Sequence, residues 1–188
     1  ERTGLGQKVE TSLLESTICF LGLGMTQYLF SGEVPSMRSR IKTAGVYALV
    51  GSDGKPFVIH LSHPPKFWIG VTEVMGRPDF QTDERTKDRP ARAKNYDFIS
   101  ETFSAVVQAA PRDHWLKELE ARDVPCAPIN NFAEVFEDPQ VQFLDRLWEV
   151  DHPDFGPFKL VRNGLNLLET PITLRLRPPK LGEHNEET

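Results

Sequence analysis

The feature that most constrains this chain is the apolar segment near its start. Apolar residues recur there at steps of three and four, which puts them on one broad helical face: Val9, Leu13, Leu14, Ile18, Leu21, Met25, Tyr28 and Leu29. Ser12 or Thr11 is suited to cap this helix, and Gly32 and Pro35 are suited to end it. Since its apolar face is wide, we expect it to pack against a large partner surface.

Composition and charge fit an ordinary globular protein. Of the 188 residues, 39% are hydrophobic and 26% are charged, which is typical of one folded domain. The net charge of -5 gives no reason to expect binding to nucleic acid or to an anionic membrane. The longest apolar run, Ile18 to Met25, is shorter than the ~20 residues that a bilayer span requires. We therefore expect a cytoplasmic protein with no nucleic-acid or membrane partner.

The order of the remaining elements predicts an α+β fold. Residues 31–44 have no period and are predicted to be a linker, and β-rich runs on both sides of Asp53-Gly54 predict a hairpin. Helical spacings follow, separated by a charged stretch at 79–95 that is typical of a solvated connector. A proline-containing run at 124–129 predicts an edge strand. Because a second hairpin is predicted near 148–161, the pattern is hairpin, helices and hairpin.

Motifs that carry common chemistries are weak or missing. Gly4-Leu5-Gly6 has the start of a phosphate-binding fingerprint, but the third glycine is replaced by Val9, so a tight turn is the better interpretation. None of the five histidines has a partner at metal-ligand spacing, and we predict no metal site. Cys19 and Cys126 are far apart, and two buried free thiols are favoured over a disulfide.

One segment carries a family resemblance. The run Arg2-Thr3-Gly4-Leu5-Gly6-Gln7-Lys8-Val9, continuing into Ser12-Leu13-Leu14-Glu15, resembles a conserved segment of family III CoA transferases of the CaiB/BaiF type. Further short matches follow in the family's order: Tyr47 to Gly54, Pro65-Lys66-Phe67-Trp68, Gly76-Arg77-Pro78-Asp79, His114-Trp115-Leu116, Val124-Pro125-Cys126-Ala127-Pro128, Asp138-Pro139-Gln140-Val141, His152-Pro153, Thr170-Pro171 and Pro178 to His184. Each match is weak alone, and their order over the whole chain makes the resemblance specific.

The resemblance implies a division of the chain. Residues 1–30 are then a helix of a large Rossmann-like domain that is missing from this sequence, and 31–44 are a linker. Residues 45–170 form a small α+β domain with antiparallel hairpins and helices, and 171–188 return toward the large domain. The family's chains interlock as ring-through-ring homodimers. Because the chain starts with Glu1 and a strongly apolar helix, we expect it to be a piece of a longer protein.

The resemblance also implies an activity. In this family an aspartate attacks an acyl-CoA thioester and carries first the acyl group and then CoA, which is passed to a carboxylic acid. The coenzyme A thioester is therefore a substrate, and no bound cofactor is implied. That aspartate precedes the Arg2-Thr3-Gly4 segment and is absent from this sequence. We expect the parent protein to be a CoA transferase, with no catalytic residue in this chain and no activity of the chain alone.

Three alternatives stay open. An α-methylacyl-CoA racemase has the same fold, but its glutamate before the first small-domain helix is replaced here by Pro64. A non-catalytic dimerisation or acyl-recognition module would suit the missing half, and an unrelated α+β protein is the third possibility. The glycine-rich loop of formyl-CoA transferases is also not reproduced by Thr43-Ala44-Gly45.

Two residues are predicted to face a substrate cleft. Tyr47 lies on the first hairpin, and His63 lies at the end of its second strand, where loops tend to face clefts. Both predictions rest on position in the hairpin.

Overall fold

The computed structural model describes residues 4, 6–36, 38–62 and 65–185. Contacts along the chain divide it into two units, Glu1–Ile129 and Asn130–Thr188. The predicted small domain of residues 45–170 spans parts of both units. The predicted large-domain helix, linker and return segment stay predictions.

The apolar opening segment forms two helices, α1 (Leu13–Phe20) and α2 (Gly22–Ser31), bent by 69°. The prediction of one continuous helix is therefore wrong. Two glycines, at positions 22 and 24, follow the bend, and glycine weakens a helix by about 1 kcal/mol relative to alanine. The predicted ends are confirmed. Ser12 caps α1 by accepting a hydrogen bond from the Glu15 amide, and Gly32 ends α2 at a φ of 74°.

Neither opening helix buries any of its residues. Phe20 is 90% exposed and Phe30 is 94% exposed, so within the described chain this apolar surface has no cover. Among the described residues, no single helix has the length and apolarity to cross a bilayer. Only α1 and α2 counted together, as a bent pair, reach that length and composition.

The predicted linker contains a short helix, α3 (Ser39–Ala44), which ends at Gly45 with a φ of 63°. Two cations anchor it to a later helix, because Arg38 and Lys42 both form ion pairs with Asp97, at 3.3 Å and 3.1 Å. The sequence shows no local period here because these contacts come from distant residues, and the assignment of 31–44 as a linker stays a prediction.

The first sheet has three antiparallel strands in the order β1-β2-β3: Val46–Val50, Pro56–His60 and Cys126–Pro128. Leu49 lies opposite Phe57, and Ile59 lies opposite Cys126. Both the Asp-Gly hairpin and the proline-containing edge strand are therefore confirmed. Alternate residues of β1 face the core, which fixes the direction of each side chain along the strand.

Four helices and a 3₁₀ turn complete unit 1: α4 (Pro65–Val74), the 3₁₀ turn (Pro78–Gln81), α5 (Arg89–Lys94), α6 (Tyr96–Val107) and α7 (Arg112–Glu120). The charged stretch at 79–95 is not simply a solvated connector, because Phe80 and Thr86 are fully buried. Thr86 donates its hydroxyl to the Phe80 carbonyl at 2.6 Å, which satisfies both groups away from water.

An aromatic cluster joins the sheet to α4 and α6. The Tyr47 ring stacks on Tyr96 with centroids 4.9 Å apart, and it meets Phe103 edge-on at 5.5 Å. Phe103 also lies 6.2 Å from Trp68 and 6.1 Å from Phe80. The Trp68 indole donates to the Phe80 carbonyl. These contacts fix α4, α6 and the 3₁₀ turn around one buried centre.

Unit 2 contains α8 (Phe132–Glu137), α9 (Pro139–Phe143) and a two-stranded sheet of β4 (Leu147–His152) and β5 (Gly156–Val161). Side chains cap both helices: Asn131 forms a capping box with Glu134, and Asp138 accepts hydrogen bonds from two α9 amides. The second predicted hairpin is also confirmed. Its strands pair antiparallel, with Leu147 opposite Val161.

The two cysteines are free, but they are not both buried. Cys19 is exposed on α1, so the expectation of a buried thiol there is wrong. Cys126 is half-buried on β3. Burial, followed by the charge of Glu120, raises the pKa of the Cys126 thiol to about 11.

This difference predicts unequal thiol reactivity. At pH 8 a pKa near 11 leaves on the order of a hundredfold less thiolate than an ordinary exposed cysteine has. In the Cys19→Ser variant we expect iodoacetamide to modify Cys126 slowly, whereas in Cys126→Ser it should modify Cys19 quickly. Mass spectrometry over time measures both rates. Equal rates in the two folded variants would contradict the assigned environments.

A second prediction concerns close packing at Gly51. A Cβ atom there would lie 2.6 Å from the Arg112 backbone nitrogen and 3.1 Å from its Cα, and backbone atoms cannot rotate away. We expect Gly51→Ala to lower the free energy of unfolding by about 1–3 kcal/mol. Gly164→Ala is the matched control, since nothing lies within 4 Å of its added Cβ and it lies outside the helices. Urea titration measures both, and an unchanged midpoint for Gly51→Ala would refute this contact.

Candidate functional site

A concave surface of unit 1 combines cations with an apolar floor. Its cavity volume is about 610 Å³. It is lined by the end of β2, the first turns of α4, the 3₁₀ turn and α5, through Leu61, Ser62, Pro65, Trp68, Ile69, Gln81, Thr82, Lys87, Asp88, Arg89 and Arg92. We call this surface the basic pocket, because three cations line it against one carboxylate.

Arg92 is the most deeply set cation of the basic pocket. Its guanidinium lies 4.6 Å from the centre of the Trp68 ring, and its Nη1 donates to the Thr86 carbonyl at 3.1 Å. Burial lowers the pKa of Arg92, while the nearby Tyr47 and Asp88 act in the opposite direction. Because arginine stays protonated even so, this part of the pocket carries a positive charge that is partly shielded from water.

Arg89 is the second arginine that lines the basic pocket. Its Nε and Nη2 both donate to the Thr43 carbonyl, at 3.1 Å and 3.0 Å. Thr43 lies in the last turn of α3, where free carbonyls carry partial negative charge. The bond therefore ties α5 to α3 and fixes the Arg89 guanidinium beside the pocket.

Two further charged residues of the basic pocket, Lys87 and Asp88, lie directly before α5. Asp88 caps the helix by accepting a hydrogen bond from the Ala91 amide at 2.8 Å. Lys87 pairs with Glu84 at 2.5 Å, and this bond raises the pKa of the Lys87 ammonium. Lys87 thus already has a carboxylate partner, whereas Arg89 and Arg92 donate to backbone carbonyls and form no ion pair among the described residues. They are therefore the cations best set to meet an anionic ligand. The apolar side chains beside them suit the carbon chain of such a ligand.

The structure sets Tyr47 in the core and not on an open cleft. Only 1% of its surface is exposed, because alternation along β1 points the ring at Tyr96 and Phe103. Burial and the neighbouring Tyr96 raise the pKa of its phenol, and Arg92 opposes this. Tyr47 also lines a small hollow together with Arg89 and Arg92. A role for Tyr47 in substrate binding stays a prediction.

His63 and Pro64 lie outside the described residues. Their neighbours Ser62 and Pro65 both line the basic pocket. The prediction for His63 therefore stays a prediction. The predicted turn at Gly4-Leu5-Gly6 is also only partly described, with Gly4 at a φ of 66°.

Sequence reasoning missed both arginines of the basic pocket, because mixed charges at 79–95 indicated a solvated connector. One signal was present: Asp88-Arg89-Pro90 has a capping aspartate and an early proline, the usual start of a helix. Among the described residues, no group of three or more histidine, cysteine or acidic side chains is arranged to hold a metal ion.

Comparison with known proteins gives consistent matches. Residues 1–185 match the family CoA-transferase family III. The formyl-CoA:oxalate CoA-transferase of Streptomyces coelicolor is 28% identical over all of this chain and 49% of its own length. The succinyl-CoA:mesaconate CoA-transferase of Haloarcula marismortui is 29% identical over all of this chain and 47% of its own length. The chain thus spans about half the length of these curated relatives.

Solved structures give the same picture. A CaiB/BaiF family protein from Brucella suis is 30% identical and matches with a TM-score of 0.73, over 99% of this chain and 48% of its own. A protein from M. tuberculosis is 20% identical, with a TM-score of 0.76 over 99% of this chain and 48% of its own. At that identity the second match supports the fold alone.

The basic pocket predicts a specific role for the Arg92 guanidinium. A lysine at this position keeps the charge, but it cannot both lie flat over Trp68 and donate to the Thr86 carbonyl. We expect Arg92→Lys to lower the free energy of unfolding by about 1–2 kcal/mol. Arg40→Lys, at an exposed position, serves as control. Urea denaturation followed by tryptophan fluorescence measures both, and equal midpoints would contradict the assigned contacts.

Proposed function

Because this chain belongs to CoA-transferase family III, we propose that it is part of a cytoplasmic enzyme that transfers CoA from an acyl-CoA thioester to a carboxylic acid. The observation that carries the proposal is the family match over residues 1–185. Relatives named for formyl-CoA and oxalate, and for succinyl-CoA and mesaconate, support it. CoA thioesters are then substrates, with no resident cofactor.

In the proposed reaction, an aspartate outside residues 1–188 attacks the thioester carbonyl and releases CoA as a thiolate. The thiolate then attacks the aspartyl carbonyl of the resulting anhydride, which frees the first carboxylic acid and leaves CoA on the enzyme. Repetition of both steps in reverse with a second carboxylate forms the new acyl-CoA. This chain supplies no covalent step, so we propose that it is inactive alone.

We propose that the basic pocket holds the carboxylic acid substrate. Charge-assisted hydrogen bonds from arginine suit a carboxylate, and the adjoining apolar floor of Leu61, Trp68 and Ile69 suits a carbon chain. The family resemblance also supports this role. Ser62 and Pro65 line the pocket and flank positions 63 and 64. Position 64 is the counterpart of the racemase glutamate. Tyr47 and His63 stay proposed substrate-binding residues.

We also propose an interlocked homodimer in which α1 and α2 belong to the large domain. The support is their uncovered apolar surface, with Phe20 and Phe30 at least nine-tenths exposed. Apolar surface of this extent is normally covered in a native protein. No described feature favours the racemase alternative, since proline stands at the glutamate position.

The test uses the isolated chain and the complete enzyme in parallel. Formyl-CoA with oxalate and succinyl-CoA with mesaconate are the first substrate pairs, and chromatography detects the new CoA ester. We expect transfer by the complete enzyme and none by residues 1–188. Arg89→Gln should raise the KM for the acceptor acid by about tenfold, while exposed Arg40→Gln should leave it unchanged.

Each outcome has a distinct meaning. Transfer by the isolated chain would overturn the assignment of the aspartate to a segment outside it. Failure of the complete enzyme with all acids tested would overturn CoA transfer itself, and proton exchange at the α-carbon would indicate a racemase instead. Binding of CoA thioesters without any turnover would indicate a recognition module, and an unchanged KM in Arg89→Gln would remove the basic pocket from acceptor binding.

A further inference from the structure

Two arginines face each other at the open end of the unit 2 hairpin. Arg146 precedes β4 and Arg162 follows β5, and the Arg162 amide donates to the Arg146 carbonyl at 2.9 Å. This bond continues the register in which Leu147 lies opposite Val161. Directly opposed residues of an antiparallel pair project from the same face, and like charges in that arrangement repel. The pairing is therefore unfavourable unless a negative group lies between the two side chains.

Both arginines line one cavity of about 300 Å³. Its other walls are six apolar residues and two amides: Trp148, Leu165, Leu167, Leu168, Pro171 and Ile172, with Asn163 and Asn166. All of these residues lie in unit 2, so the cavity does not depend on how the two units are arranged. We call it the hairpin-end pocket.

The Arg162 guanidinium has an unused edge. Its Nη1 pairs with Asp145 at 3.0 Å, but its Nε is buried and has no hydrogen-bond partner among the described residues. A buried donor without an acceptor costs about 1–3 kcal/mol. Elsewhere in the chain the Nε and Nη2 edge of an arginine holds a carboxylate with two bonds, as Arg77 holds Asp79. The same edge of Arg162 lacks such a carboxylate.

Arg146 is also incompletely paired. Both of its terminal nitrogens reach the Asn166 side-chain oxygen, each at 3.3 Å, which is long for an arginine hydrogen bond and involves a neutral acceptor. Asp145 is thus the one carboxylate paired with the two guanidiniums among the described residues. The pair keeps one positive charge in excess.

We propose that the hairpin-end pocket binds a small organic carboxylate with an apolar body. The carboxylate would take the Nε and Nη2 edge of Arg162, after a small rotation of that flexible side chain, and the Nη groups of Arg146. The apolar body would lie against Trp148 and the leucine-rich wall. The apolar wall favours such a molecule over inorganic phosphate, which is strongly hydrated and has no apolar part. This site rests on unit 2 alone and is independent of the proposed CoA transfer.

The test compares benzoate with benzamide, which has nearly the same shape and no charge. The 188-residue chain is titrated with each while the side-chain Nε–H signals of its arginines and the tryptophan indole signals are followed by NMR. We expect benzoate to shift the signals of Arg162 and Trp148 in a saturable way, with benzamide and inorganic phosphate at least tenfold weaker. Arg162→Lys and Arg146→Lys should each weaken benzoate binding about tenfold.

Arg175→Lys is the matched control, because Arg175 is exposed and does not line the hairpin-end pocket. Its affinity for benzoate should equal that of the original chain. No saturable benzoate shift, or equal binding of benzamide, would overturn the proposal. Phosphate binding as tight as benzoate would overturn the assigned ligand class. Should a lysine variant fail to fold, the comparison of benzoate and benzamide on the unmodified chain still decides the question.

Discussion

Unit 1 depends on the aromatic contacts that join its first hairpin to α4 and α6. Tyr47 and Phe103 meet at the centre, and Trp68 extends the cluster outward until the Arg92 guanidinium covers its ring. Trp68 contacts the buried rings and also lines the cavity. The packing of the core therefore determines where the basic pocket lies. A change that shifts Phe103 would move Trp68 and with it the cation above.

Local chemistry explains which elements the sequence predicts correctly. The Ser12 cap, the Asp-Gly turn and prolines at a sheet edge each act within a few residues. The bend after α1 was missed because apolar spacing continues through Leu21. The short helices α3 and α5 were missed because distant contacts stabilise them, including the bond from Arg89 to the Thr43 carbonyl.

Function was less accessible from local pattern than fold. Arg89 and Arg92 are close in sequence, but the Thr43 carbonyl and the Trp68 ring that they contact come from distant residues. Arg146 meets Arg162 only through the register of the second hairpin. Side chains alternate between the two faces of β1, and Tyr47 lies on the face that is buried. Alternation would therefore have assigned Tyr47 to the core if that face had been identified from the sequence. The family itself was predictable because many weak motifs occur in one order along residues 1–185.

In the proposed function, the basic pocket contacts substrate during CoA transfer. The most direct measurement is photocrosslinking of the complete enzyme with an acyl-CoA that carries a benzophenone on its acyl chain, followed by peptide mapping. We expect adducts in peptides that contain Leu61 and Ser62 or residues 81–92, and we expect these adducts to be lost when excess unlabelled acyl-CoA is present. Competable adducts confined to other segments would contradict it.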